Sequence, residues 1–552
     1  MMDLVSLTVF LTAVAFVALY LTLKYLRVQL REPKKGQFEA VALAYKNKAA
    51  IPPAFKTPQL RRQLILGSTR PAELTNLLDM RVRTFNPSTE KKPLIYGLLH
   101  PNAAKGGGGE RVLWAAVKQL MTADKSAVAA IYFGAQPELT PASMLKLVAD
   151  RYHIEFSAEE TNRIVLIALT QAWLVDPNTY LMLTLISQAV GMAVLGYEAV
   201  SNLMPDVLVD TTGLAFSYPI VSWFAKIPII AYVHYPFVQT EMLQAIRAQG
   251  LAHPKRLGKY LYYKMLTSAY RWAGSFATVG ATNSTWTKQH LGWKQAKEFK
   301  IVYPPSAVQD FPDPATLKTP DGKPVKRAPA IVYLAQFRPE KRHDLAITAF
   351  AKTLGLAKKD HSIPSANRKP HLILLGSVRD EVDALYVHSL RRLAATVGLT
   401  ESEYTIVENA PWGAITKIME SALIGINAMW NEHFGMGVVE NMAAGLIPVV
   451  HASAGPYLDI VRDAEGAPGF FFRSKRDPDG LGLQGFPTFS TALLSALRLS
   501  DSEQARYRER AYRASQRFSD GAFAEAWGRE METVTALVPQ FRQQRKSLKL
   551  FD

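Results

Sequence analysis

The chain has no cysteine in 552 residues. That absence excludes a disulfide scaffold, a cysteine-ligated zinc site, an iron–sulfur cluster and a thiol nucleophile. Glycine and proline are modest at 33 each, so collagen-like and low-complexity chains are excluded too. Negative charge is the scarcer sign: 47 acidic residues stand against 64 basic ones, a net +17. With 48% apolar and 20% charged residues, the composition is globular rather than disordered. The length predicts about three domains, or two large ones, at roughly 100–200 residues each. The basic excess favours a polyanionic partner: nucleic acid, an anionic membrane or phosphorylated ligands. No nucleic-acid module signature is present, so nucleic acid is set aside.

Long uncharged runs are few. One spans Leu4–Leu23 and holds six Leu, four Val and two Phe. As a helix it is about 30 Å long, the thickness of a bilayer core, and its apolar residues favour insertion by about 5 kcal/mol. Lys24, Arg27, Arg31, Lys34 and Lys35 follow it, so the positive-inside rule puts the remaining chain in the cytosol. The rival reading, a cleaved signal peptide, lacks a basic n-region and a small-residue cleavage pattern. Residues 1–26 are expected to be a single-pass anchor and 27–92 a basic juxtamembrane segment. A second apolar stretch, Ile164–Tyr197, has Asp176 as its only charge. Asp176-Pro177-Asn178 is a turn signal that splits it into a buried strand and a helix. The other reading of that helix, compatible with the first, is a patch dipping into a lipid surface. Basic clusters recur at Lys46–Arg62, Arg81–Lys92 and Lys255–Arg271. The last, interleaved with Tyr260, Tyr262, Tyr263 and Trp272, reads as a membrane-surface belt or a solvated face.

From about residue 93 short apolar runs alternate with helical stretches, the βαβ rhythm of a doubly wound parallel sheet. Strand candidates are LIYGLLH (94–100), AAIYFG (129–134), VLVD (207–210), IPIIAYVH (227–234), FATVG (276–280) and KIVYPP (300–305). A stretch with five Pro, 308–329, reads as a linker. The rhythm restarts with IVYLAQ (331–336), HLILLG (371–376), YTIVEN (404–409), LIGINAM (423–429) and LIPVVHA (446–452). The expected domains are 93–307 and 330–520, followed by a C-terminal helix and tail at 521–552. Two such halves predict a cleft, with the chemistry in the loops after strands.

Four motifs fall in such loops. Gly106-Gly107-Gly108-Gly109-Glu110-Arg111 opens a helix after the first strand. Free backbone turning and unpaired helix N–H groups make an anion or sugar site there. It fits neither the dinucleotide fingerprint nor the P-loop. His234-Tyr235-Pro236 ends a very apolar strand, where His could bond a sugar hydroxyl or handle a proton near neutral pH. Arg338-Pro339-Glu340-Lys341-Arg342 supplies cations for a diphosphate. Glu432-His433-Phe434-Gly435-Met436-Gly437 leads to Glu440, eight residues beyond Glu432. With a helix starting near Gly435, Glu440 lies on it and Glu432 in the loop before. The pair could grip sugar and ribose hydroxyls around a phosphate at the helix start, or be the two acids of a glycosidase.

The spacing of Glu432 and Glu440, the glycine-rich loop and Lys341 resemble the retaining family 4 glycosyltransferases of GT-B fold. HPNAAKGGGGERVLW, VHYPFVQTEML, QFRPEKRHDLAI and WNEHFGMGVVENMAAG narrow the resemblance to the GDP-mannose–dolichol α-1,2-mannosyltransferases of asparagine-linked glycosylation. The likeness spans about Leu94–Val461. It implies an α/β GT-B fold of two Rossmann-like domains facing a cleft, with an N-terminal transmembrane helix. It implies GDP-mannose as donor, a dolichol-diphosphate oligosaccharide as acceptor, the ER membrane, and other mannosyltransferases of the pathway as partners. By position Glu432 would lie near the transferred sugar, Glu440 on the ribose, Lys341 on the diphosphate, and the backbone of Phe434, Gly435 and Met436 at the phosphates. His234 would stand near the reacting centre, and Gly106–Gly109 with Glu110 between the diphosphate and the acceptor. One position departs: the family's Gly-Arg ahead of the Lys is Ala335-Gln336 here, and Arg338 is expected to replace the missing charge.

Charge dictates the expected mechanism. Breaking the sugar–phosphate bond leaves negative charge on the diphosphate, which Lys341, Arg338 and the helix start would stabilise without metal. Asp477-Pro478-Asp479, the one D-x-D, is expected at the surface. No residue is an obvious covalent nucleophile, so same-face attack is expected. Two other readings are a family enzyme with another nucleotide-sugar or glycolipid acceptor, and a catalytically silent scaffold of a membrane glycosylation complex. The sequon Asn283-Ser284-Thr285 is expected to stay unglycosylated.

Overall fold

The computed structural model describes residues 61–62, 65–66, 93–136, 139–238, 242–243, 246–247, 250–316, 326–360 and 369–547. The expected anchor at 1–26 and nearly all of 27–92 lie outside the described residues. Among the described residues no helix is long and apolar enough to cross a membrane.

Most of the apolar runs become strands buried on both faces, as parallel sheets covered by helices require; the edge strands Lys300–Ile301 and Tyr404–Glu408 are partly exposed. Seven form one parallel sheet: β1 (Ile95–Leu99), β2 (Val128–Gly134), β3 (Ile164–Leu169), β4 (Val207–Asp210), β5 (Ile229–Val233), β6 (Val279–Thr282) and β7 (Lys300–Ile301), in the order β3-β2-β1-β4-β5-β6-β7. KIVYPP shortens to Lys300–Ile301 because Pro304 and Pro305 cannot donate to a ladder. Six strands form the second parallel sheet: β8 (Ala328–Leu334), β9 (His371–Gly376), β10 (Tyr404–Glu408), β11 (Ala422–Asn427), β12 (Ile447–His451) and β13 (Phe470–Phe472), in the order β10-β9-β8-β11-β12-β13. Strand order reverses between β1 and β4 in one sheet and between β8 and β11 in the other. A crevice opens at each reversal.

Helices fill the crossovers, among them α1 (Gly108–Ala123), α2 (Thr184–Asn202), α3 (Pro254–Gly274), α4 (Thr285–His290), α5 (His343–Asp360), α6 (Met436–Ala443) and α7 (Asp520–Ala536). The division of the halves departs from the expected boundaries in two places. Val308 and Phe311, inside the stretch read as a linker, are buried in the second domain's core, so the crossing lies between Val302 and Val308. At the far end, α7 returns to the first domain. Its Phe523, Trp527 and Val534 share a core with Trp114 and Val117 of α1. Tyr96 and Thr535 are hydrogen-bonded at 3.0 Å, and Arg111 meets Asp520 at 3.0 Å. Helix α7 is thus a clasp rather than part of an appended tail.

Candidate active site

Residues at or just beyond the ends of β5, β6, β8 and β11 line one cavity of about 330 Å³ between the sheets. That lies at the small end of ligand clefts, roughly 300–1,000 Å³. His234 follows β5, Gln336 follows β8 and Asn427 ends β11. His100 and Thr211 follow β1 and β4 at the reversal in strand order, joined Nδ1 to Oγ1 at 2.8 Å.

The second domain supplies the charged part. Gly435 caps α6 with φ of 109°, a left-handed conformation that a side chain would strain, and the helix starts at Met436 as expected. Gly437 lies so close to β8 that a Cβ there would stand 2.7 Å from the Leu334 carbonyl oxygen. The helix N-terminus therefore sits directly against the end of the strand. Lys341 Nζ donates to Glu432 Oε2 at 2.5 Å, with side chains 20% and 14% exposed. Burial alone would raise the Glu432 carboxyl, but Lys341, with help from His433 and the Asn427 amide, holds it below its ordinary value. Glu440 lies on α6, half-buried, outside the cavity lining. Burial pushes its carboxyl up to about 7.

The first domain closes the cavity from the other side. A Cβ on Gly108 would stand 2.5 Å from Met436 Sδ, so the glycine loop and the start of α6 touch across the cleft. A Cβ on Gly109 would face His234 Nε2 at 3.6 Å. His234 Nε2 donates to the Thr211 carbonyl at 3.0 Å. Burial lowers this imidazole to about 4, so it is neutral near pH 7. Of the two roles expected of it, the neutral ring suits hydrogen bonding. His433 also crosses the cleft, stacked on Trp286 at 4.7 Å and on Tyr235 at 5.7 Å. Burial lowers it to about 4 as well. Below the stack, Asp459 accepts from Thr285 N at 3.0 Å and from Tyr303 Oη at 3.1 Å.

The cavity thus gathers Gly108, Gly109, His234, Lys341, Glu432, Phe434, Gly435 and Met436 from the expected set. It does not gather Gly106, Gly107, Glu110, Arg338 or Glu440. Glu110 turns to His100 at 3.7 Å, and Arg338 stands 3.9 Å from Glu340. Gln336, not Arg338, lines the cavity, so the expected replacement of the missing arginine is not seen in this arrangement. The D-x-D expectation is corrected too: Asp477 is 5% exposed and holds Arg342 at 2.8 Å. Asn283 is 4% exposed and lines the cavity, which leaves no room for a glycan on the folded chain. Sequence reading missed His100, Asn427 and the His433 stack. The same strand-end rule that found His234 would have found the first two. A larger groove, about 540 Å³, runs along the ends of β1 to β3 beside Asn102, Lys105, Gln136, Trp173, Asp176 and Asn178.

Two Rossmann-like parallel-sheet domains with opposed strand ends, and a cation–carboxylate pair at a helix start between them, define a GT-B glycosyltransferase architecture. The fold is similar to that of a sucrose-phosphate synthase from Thermosynechococcus elongatus, with a TM-score of 0.54 at 16% identity, over 80% of this chain and 99% of that one. Residues 93–293 match the family described as ALG11 mannosyltransferase N-terminus, and 318–483 the family described as Glycosyl transferases group 1. A GDP-Man:Man(3)GlcNAc(2)-PP-Dol alpha-1,2-mannosyltransferase from Kluyveromyces lactis is 34% identical over 87% of each chain. Its counterpart from Yarrowia lipolytica is 35% identical, over 87% of this chain and 84% of that one. The chain belongs to this family of α-1,2-mannosyltransferases.

Proposed function

We propose that the protein transfers mannose from GDP-mannose, in α-1,2 linkage and with retention, to a dolichol-diphosphate-linked trimannosyl-chitobiose. Two successive additions take place on the cytosolic face of the ER membrane. The observation that carries this reading is the Lys341–Glu432 pair at the start of α6, in a chain that matches α-1,2-mannosyltransferases over most of its length. As the sugar–phosphate bond breaks, negative charge grows on the leaving diphosphate. Lys341 and the N–H groups at the start of α6 meet that charge, which removes the need for a metal ion. Donor binding draws the Lys341 ammonium onto the diphosphate and leaves Glu432 facing the mannose. Glu440 holds the ribose. The neutral His234 and the glycine loop border the reacting centre, and attack comes from the face the diphosphate leaves. The groove with Trp173 suits the acceptor glycan, because an aromatic face with amide and carboxylate groups matches a polyhydroxyl ligand.

A lipid-linked acceptor also accounts for the surface. Leu181, Met182 and Leu183 are 102%, 79% and 60% exposed, and Leu257, Leu261, Met265 and Trp272 form an exposed stripe on α3. Tyr262 of α3 reaches the Ile186 N–H of α2 at 3.3 Å, so the two apolar faces are continuous. Lys255, Arg256, Lys259, Lys264 and Arg271 flank the stripe, and α3 carries no acid. Such a face suits an anionic membrane alongside the anchor at 1–26. Removal of 1–26 should weaken flotation with anionic vesicles without abolishing it; full loss would leave the anchor as the sole attachment.

The test is transfer of labelled mannose from GDP-mannose to an acceptor bearing three mannoses, with EDTA present. Two added α-1,2-mannoses are expected. No transfer by folded protein, with metal restored, would overturn the reading, and other nucleotide-sugars would then be screened.

A further inference from the structure

Seven residues close into a ring around the Lys341–Glu432 pair. Lys341 Nζ meets Glu432 Oε2 at 2.5 Å. Arg342, the next residue, reaches Asp477 Oδ1 at 2.8 Å. Asp477 Oδ2 pairs with His451 Nε2 at 2.8 Å, and His451 Nδ1 pairs with Ser453 Oγ at 2.8 Å. The Asn431 N–H donates to Ser453 Oγ at 2.9 Å, and Asn431 precedes Glu432. The donors converge on Asp477 from both sides of the ring. An ionised Asp477 only accepts, so His451 Nε2 carries the proton. Nδ1 and the Ser453 hydroxyl share the next hydrogen bond, and the Ser453 oxygen accepts from the Asn431 N–H.

The ring has work to do. Lys341 follows β8 and Glu432 follows β11, so no single element sets their spacing. Arg342 and Asn431 hold φ of 55° and 53°, a left-handed conformation that costs about 1–2 kcal/mol each and persists only where contacts enforce it. Asp477 is their shared anchor. Its side chain is wholly buried and also accepts from the Ser474 N–H at 2.9 Å and from Arg473 at 3.4 Å. Burial alone would raise its carboxyl, yet His451 and Arg342 hold it well below the usual carboxylate range. A second strut, Gly455 N to Glu432 O at 3.0 Å, fixes the peptide on the other side of Glu432.

We propose that Asp477 is a positioning residue for the transfer reaction, setting the spacing of Lys341 and Glu432 through Arg342 on one side and His451–Ser453–Asn431 on the other. This rests on the proposed reaction, so wild-type transfer is measured alongside to separate a failure of that reading from a failure of this one. Asp477→Asn keeps the shape but cannot balance Arg342. Its kcat should fall about 10- to 100-fold, with the donor KM moving less than about threefold, because misplacement of reacting groups is felt in the chemical step. Ser453→Ala removes one hydroxyl from the same ring and leaves the core charge intact, so it serves if Asp477→Asn does not fold. Its kcat should fall about 3- to 10-fold on the same grounds. In the double variant the loss should stay within about twofold of Asp477→Asn alone, since both break one ring. Wild-type kcat in either folded variant, or losses that multiply in the double variant, would overturn the proposal.

Discussion

At the residue scale, two carboxylates on one stretch of chain are driven apart by their surroundings. Glu432 has Lys341 at 2.5 Å and is held ionised. The Glu440 carboxyl finds no cation at hydrogen-bonding distance among the described residues, and burial pushes it up to about 7. Glu432→Gln or Lys341→Ala should lower kcat by about 100-fold or more while near-UV circular dichroism is retained, since each removes charge placed for the transition state. Unchanged turnover would take that residue out of the site. Glu440 carries a stability signature. Its folded carboxyl keeps a proton up to about 7, above its ordinary value, so folding loses stability as pH rises through that window. Glu440→Gln should raise Tm, and by more at pH 8 than at pH 4.5; an equal gain at both would show that Glu440 ionises freely. The spacing of the two acids was legible in the sequence. Their opposite pKa shifts were not, because one depends on a lysine from another strand and the other on burial.

At the element scale, glycines decide how close two elements can come. Gly437→Ala would push a Cβ to 2.7 Å from the Leu334 carbonyl, so α6 or β8 must shift. A loss of about 1–3 kcal/mol is expected, the usual cost of overpacking, together with a clear fall in kcat. Gly413→Ala, in the helix Trp412–Ser421, meets nothing within 4 Å and should be neutral or mildly stabilising. Thermal melts of the two variants separate packing from helix propensity; a similar Tm for both would remove the argument. Most strands could be read in advance because parallel strands buried on both faces are uninterrupted apolar runs. The stretch 308–329 misled because its prolines look like a linker, while Val308 and Phe311 supply apolar anchors that only the second domain's core reveals.

At the scale of the whole molecule, α7 carries the chain from the second domain back onto the core of the first. Trp527 is 1% exposed in the first domain's core, although it follows the whole second domain. Trp527→Ala should cost about 3–5 kcal/mol, as for other buried large-to-small changes. The loss should show as early melting that hydrogen exchange places on β1 and α1. Loss confined to the second domain would contradict the clasp. A second link between the halves lies in the cleft, where Tyr235 and Trp286 of the first domain grip His433 of the second.

The sequence by itself determined the alternation of strand and helix, the glycine-capped start of α6, and the candidates Lys341, Glu432 and His234. These are local properties: apolar runs, capping and residue chemistry speak through neighbours along the chain. Only the tertiary structure decided that Lys341 pairs with Glu432, that His234 is neutral, that Gln336 rather than Arg338 faces the cavity, and that Asp477 is buried beneath it. Each depends on groups brought together from distant segments, and burial and Coulomb attraction act through space rather than along the chain.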